Sequence, residues 1–125
     1  MSKPADNARA TGPALERAFQ FLVWLVPTVD KFPRSQKFLL GDRIQATSLD
    51  VLERLIEATY TKTRARALHD ANLAIEKLRF LFRLAHELRY LDGRRYEFAA
   101  RSLDEVGRLV GGWIKSDREH ARPRD

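Results

Sequence analysis

The sequence predicts an all-α protein, an up-down bundle of four helices. Three observations carry that prediction. Apolar residues recur at spacings of three and four, with no period-two alternation that would suggest a strand. Breaks fall near 32–35, 61–66 and 92–95, leaving connections short enough to make consecutive helices antiparallel. The chain has 125 residues, 44% of them apolar, which suits one domain with one core.

The first helix is expected over about 13–31. Pro13 fits the first helical position, where its missing N–H does no harm. Leu15, Phe19, Leu22, Val26 and Val29 give it an apolar face, widened by Trp24 and Leu25. Pro27 removes a backbone bond and crowds residue 23, so a kink is expected there. "FPRS" at 32–35 breaks the pattern. Pro33 biases Phe32 away from helix, and Ser35 is an N-cap candidate. The second helix is expected over 36–61, with Leu40, Ile44, Leu52, Leu55, Ile56 and Tyr60 facing inward.

"TKTRAR" at 61–66 contains neither Gly nor Pro. A continuous helix through it is conceivable, but its length of about 55 residues argues for a break. The third helix is expected over 64–91. Leu68, Ala71, Ile75, Leu78, Phe82 and Ala85 form one stripe, and Leu81, Leu84, Leu88 and Leu91 a second. So broad an apolar face can serve two neighbours in the bundle or a second subunit. "DGRR" at 92–95 is a stop signal, with Gly93 expected just past the helix end. The fourth helix is expected over 96–116, on Phe98, Leu103, Val106, Val110, Trp113 and Ile114. This divides the chain into a flexible segment (1–12), the bundle (13–116) and a polar tail (117–125).

"GRLVGGWIK" at 107–115 raises a question of its own. Each helical glycine costs roughly 1 kcal/mol relative to alanine. The glycines either end the helix at Gly111–Gly112 or continue it and clear its surface for a close neighbour. Continuation is preferred, because Trp113 and Ile114 restore the apolar spacing after Val110. On that reading Gly107, Gly111, Gly112 and Trp113 form a helix-packing or subunit surface. Gly111→Leu should then disturb packing more than Ala99→Leu.

The formal net charge is +6 and there is no cysteine, which excludes disulfides and thiolate metal sites. No apolar run approaches a membrane span, and the start lacks a secretory leader's apolar stretch, so the expected compartment is the cytoplasm. Residues 62–95 hold nine Lys or Arg against Asp70, Glu76, Glu87 and Asp92, so most of the excess lies there. An anionic partner, nucleic acid first, is the functional expectation.

Catalytic chemistry finds little support. His69–Asp70 and His86–Glu87 are adjacent pairs, which point in different directions on a helix. No Glu-x-x-His occurs, so a di-iron bundle site lacks its ligands. No Gly-rich phosphate loop joins a strand to a helix. The expectation is no catalytic residue, no metal and no cofactor.

The basic residues are more informative. Lys77, Arg79, Arg83 and Arg89 lie on the most positive helix, and Arg94, Arg95, Arg101 and Arg108 continue the charge across the turn. Arg101, Arg108 and Lys115 are seven apart and form one drifting helical stripe. Glu97, Asp104 and Glu105 could instead make it an ordinary solvated face. No base-reading motif is present, so binding should be directed to phosphates and sensitive to salt. Arg79 and Arg83 are both expected on the polar side of the helix, where changing them to Ala would weaken binding without unfolding.

Three stretches converge on a known pattern: "FPRSQKFLLGDRI", "LRFLFRLAHELRYL" and "YEFAARSLDEVGRLVGGWIK". They resemble a four-helix bundle family that includes proteins encoded in ribosomal RNA intervening sequences. It also includes the accessory variability determinant, Avd, of diversity-generating retroelements. The resemblance covers about residues 14–116. It implies a non-enzymatic bundle assembling as a homopentameric barrel. For the Avd branch it implies a basic surface that binds a reverse transcriptase and RNA or DNA, with little sequence preference, to support mutagenic retrohoming. The alternative is an intervening-sequence-type bundle with a different RNA-linked role.

Overall fold

The computed structural model describes residues 12–121, and every regular element among them is helical. Helix α1 spans Pro13–Val29, α2 Asp42–Tyr60, α3 Ala65–Glu87 and α4 Gly93–Ala121. Helix α1 packs on α2 and α4, and α3 packs on the same two, which gives the expected four-helix arrangement. Residues 1–11 and 122–125, which include most of the expected flexible segment and part of the polar tail, lie outside the described residues.

Helix α1 starts as its sequence dictates, with Pro13 in the first turn and the Glu16 N–H donating to the Gly12 carbonyl at 3.2 Å. Its buried arc is Ala14, Leu15, Ala18, Phe21, Leu22, Leu25 and Val29. Phe19 and Val26, expected in the core, are instead about half exposed. Apolar residues surround most of this helix, so period alone did not select the arc. The alanines let the neighbours approach one side closely. Pro27 falls in the final turn, where the helix has only two residues left to lose.

The junction that follows is built differently from the expected cap. Pro33, not Ser35, precedes the short helix Arg34–Gln36, and Ser35 makes no capping bond. The Pro33 carbonyl accepts from the N–H groups of Gln36 and Lys37, each at 2.9 Å. A π-helical turn, Lys37–Gly41, then leads into α2. Gly41 is required there: a Cβ would stand 2.7 Å from Val29 Cγ1. The core residues of α2 are Ile44, Val51, Leu55 and Ala58, with Thr47 and Ser48 beside them. Ile56 and Tyr60, expected inward, are exposed, and Leu52 is half-buried.

The break after α2 is real. Thr61 is extended (φ −127°, ψ 149°), and Arg64 Nη2 donates to the Thr61 carbonyl at 3.0 Å. In α3 every residue of the first expected stripe is buried, from Leu68 to Ala85. The second stripe divides: Leu91 is buried, Leu81 half-buried, and Leu84 and Leu88 exposed. Helix α3 also ends sooner than expected. Its stop is Arg89, in the left-handed region at φ 63°. The Arg89 N–H donates to the His86 carbonyl and the Tyr90 N–H to the Ala85 carbonyl, both at 2.9 Å. Those two bonds satisfy carbonyls of the last turn in the pattern a glycine usually completes. Gly93, expected in that role, is the first residue of α4. Asp92 caps α4 instead, its Oδ1 accepting from the Arg95 N–H at 2.8 Å.

Helix α4 continues through all three glycines to Ala121, past the expected end near 116. Ala99, Leu103, Val106 and Val110 form its buried face. Phe98 is 40% exposed and lies 4.6 Å from the ring of Trp24 on α1.

Candidate nucleic-acid interface

The antiparallel α3 and α4 form a groove that gathers four of the expected arginines. Arg79 lies at its centre. Its Nε donates to Glu76 Oε1 at 3.1 Å, its Nη1 to Asp104, and its Nη2 to the Leu103 carbonyl at 3.4 Å. The Asp104 carboxylate, followed by Glu76, raises the Arg79 pKa above the ordinary guanidinium value, against the opposing effect of partial burial. Arg79 is thus a strut that ties α3 to α4, not a free cation on the polar side. Changing it together with Arg83 would disturb the helix pair as well as the surface, contrary to the expectation from sequence.

Gly107 makes room for this strut. A Cβ at 107 would stand 2.9 Å from Arg79 Nη2 and 3.9 Å from Ile75 Cγ2. The close approach expected of the three glycines is therefore met at Gly107, with a side chain crossing it. Gly111 and Gly112 are exposed, and a Cβ at either would have no neighbour within 4 Å among the described residues. Within one chain they clear no path for another helix, and the expected ranking of Gly111→Leu over Ala99→Leu reverses. Ala99 is fully buried. Trp113 is half-buried, with the Arg64 guanidinium carbon 6.0 Å from its ring centre.

On one side of Arg79 the groove holds about 360 Å³ and is lined by Phe80, Arg83, Tyr96 and Ala100. On the other it widens to about 760 Å³, between Asn72 on α3 and Arg101, Glu105 and Arg108 on α4. The acids of this stretch are already engaged. Glu76 and Asp104 hold Arg79, and Glu105 pairs with Arg17 at 3.2 Å. Arg83, Arg101 and Arg108 are exposed and make no ion pair among the described residues. The sequence expectation that nearby acids could neutralise the α4 stripe fails for Asp104 and Glu105, which face arginines on α3 and α1, while Glu97 is exposed and makes no ion pair among the described residues.

The remaining expected cations lie elsewhere. Lys77 is on the other side of α3, in the groove with α2, beside Arg43, Asp50 and Asp70. Arg89 and Arg95 are at the α3–α4 turn near Lys31, and Arg94 is exposed in the first turn of α4. Arg95 is occupied by Asp92, to which it donates from both backbone and side chain. The backbone bond from Arg95 is the main reason the Asp92 carboxyl sits below the usual carboxylate range. The eight cations therefore occupy three places, not one continuous patch.

Phe80 is the residue sequence reasoning missed. It is 68% exposed on the ridge between the two grooves, three residues from both Lys77 and Arg83. Its spacing from the buried stripe was legible, but the extent of its exposure was not. His86 stacks on Tyr96 with ring centres 4.6 Å apart and donates from Nδ1 to the Leu91 carbonyl at 3.1 Å. Among the described residues no three His, Cys, Asp or Glu side chains gather as a metal site, and no helix is long and apolar enough to cross a membrane.

The described residues thus form a helical bundle of a basic protein, with three unpaired arginines along one helix–helix groove. A family model described as bAvd-like matches residues 14–117, and the chain belongs to that family. Membership points to an accessory protein of a diversity-generating retroelement, in agreement with the resemblance in the sequence. No curated protein matches the chain closely.

Proposed function

We propose that this protein is a non-catalytic accessory subunit of a diversity-generating retroelement. It assembles as a homo-oligomer and binds a reverse transcriptase together with RNA or DNA in the cytoplasm. The observation that supports nucleic-acid binding best is the set of free arginines 83, 101 and 108 around the α3–α4 groove. The family membership supports the retroelement context and favours it over an intervening-sequence role. The chain supplies positive charge and a docking surface, while the polymerase supplies the chemistry.

Three phosphate contacts per protomer would give a salt slope of about −2.7, or roughly a 40-fold loss of affinity between 50 and 200 mM salt. An oligomer repeats each patch, so the whole-particle dependence should be steeper. Fluorescence anisotropy with a labelled single strand, RNA or DNA, measures this directly. Arg83→Ala, Arg101→Ala and Arg108→Ala combined should weaken binding and flatten the salt dependence. Unchanged low-salt affinity in that triple variant would move the site away from this groove.

A further inference from the structure

Gly112 opens a pocket at one end of the bundle, where α1 begins, α2 ends and α4 passes between them. The pocket holds about 540 Å³, within the roughly 300–1,000 Å³ of small-ligand sites. Ala14, Leu109 and the half-buried Trp113 give it apolar walls. Gly112 itself is exposed, and a Cβ there would meet no atom within 4 Å among the described residues. Glycine is unfavourable in a helix relative to alanine. No contact among the described residues uses the space that this one leaves beside the indole.

Two arginines line the same pocket and differ in their commitments. Arg64 is held in place: its Nε and Nη2 donate to the Thr61 carbonyl at 3.2 and 3.0 Å, and Asp117 lies 3.9 Å from its Nε. Its guanidinium carbon stands 6.0 Å from the Trp113 ring centre. Arg108 is exposed and makes no ion pair among the described residues. It lines both this pocket and the wide part of the α3–α4 groove, so the two are continuous through its side chain.

No acid among the described residues lines the pocket. Of those nearby, Glu105 is paired with Arg17, and Glu16 accepts from Gln20 Nε2 at 3.1 Å. Exposed Lys115 and Glu119, farther along α4, are of opposite sign. The local excess is therefore the positive charge of Arg108. Its neighbour Gly112 is four residues on, about 6 Å along the axis and on the same face.

An apolar wall with an exposed indole edge, beside a free guanidinium, suits a flat aromatic group that carries an anion on its linker. We infer that this pocket takes one unpaired nucleobase of an RNA or DNA single strand whose phosphate rests on Arg108. The base packs over Gly112 against Trp113, and the Ser116 hydroxyl at the rim offers a donor and an acceptor to its edge. Aromatic platforms of this kind tolerate any base, because every base has a π-face. A base inside a duplex is already stacked and paired, so the pocket favours single strands. This inference rests on the nucleic-acid binding proposed above and adds a base-binding subsite to it.

Fluorescence anisotropy with two labelled strands of equal length, oligothymidylate and the same backbone without bases, separates base from phosphate. The wild type should bind the strand with bases about fivefold or more tightly, the effect of stacking one base on an aromatic side chain. Gly112→Leu fills the pocket and should reduce that preference to within about twofold, with the salt slope of the wild type retained. Circular dichroism should show its helical content unchanged, because the new side chain enters open space and leucine favours helix. If that variant loses helicity, Ser116→Leu fills the pocket from the next turn and should give the same result. Equal affinity of the wild type for the two strands, or a filled variant that keeps the wild-type preference, overturns the base site and leaves the arginine groove standing. A change in particle mass by light scattering on Gly112→Leu, with no strand present, assigns the pocket to a second copy and overturns the base site too. A wild type that binds neither strand at low salt overturns both the subsite and the nucleic-acid reading beneath it.

Discussion

Gly107 and Gly111 lie one helical turn apart on α4, and the structure assigns them opposite responses to the same change. Replacing a helical glycine by alanine gains about 1 kcal/mol through the backbone freedom the unfolded chain no longer has. At Gly111 nothing opposes that gain, since the new methyl meets no atom within 4 Å. Gly111→Ala should therefore stabilise by about 1 kcal/mol, a rise of roughly 4 °C in melting temperature for a domain of this size. At Gly107 the new Cβ would sit 2.9 Å from Arg79 Nη2. The guanidinium must move, which loosens its bonds to Asp104 and the Leu103 carbonyl. Losing one such bond costs about 1 kcal/mol, enough to cancel the helix gain. Gly107→Ala should leave stability nearly unchanged. Thermal melts followed by circular dichroism, with both variants at equal concentration, read the difference. Equal stabilisation of the two would show that Arg79 is not pinned over Gly107. Destabilisation by Gly111→Ala would show that another surface covers residue 111 in solution.

Further outcomes follow from the same geometry. Arg79→Ala should destabilise by about 1 kcal/mol, a value reduced by the solvent around its ion pairs, whereas Arg83→Ala should stay within about 0.5 kcal/mol in urea titrations. Arg89→Gly should stabilise by about 1 kcal/mol, because Arg89 occupies a left-handed conformation at φ 63° that glycine adopts without penalty; an unchanged melt would place the strain elsewhere. The folded Asp92 pKa is lowered from the ordinary 3.8, so its cap contributes fully above that value and fades as pH falls through the depressed one. The stability difference between wild type and Asp92→Ala should accordingly shrink in acid, and an NMR titration of the Asp92 carboxyl at or above 3.8 would contradict the cap.

The amino-acid sequence by itself determined the number of helices, their class and the α3 core from Leu68 to Ala85. Those features follow from local periodicity, and in α3 the first stripe repeats at spacings of three and four without a break from Leu68 to Ala85. It also carried the family resemblance and the region of excess positive charge. Tertiary structure decided which arc of α1 is buried, because a helix apolar on most sides takes its orientation from its neighbours. Packing likewise moved the helix stop from Gly93 to Arg89, since bonds from Arg89 and Tyr90 back to α3 satisfy its last carbonyls without a glycine. The basic surface was legible as composition but not as a site. Asp104 and Glu105 lie near Arg101 and Arg108 in sequence, yet they turn to Arg79 on α3 and Arg17 on α1. Ion pairs between helices therefore fix which arginines remain free, and spacing along a single helix cannot reveal them.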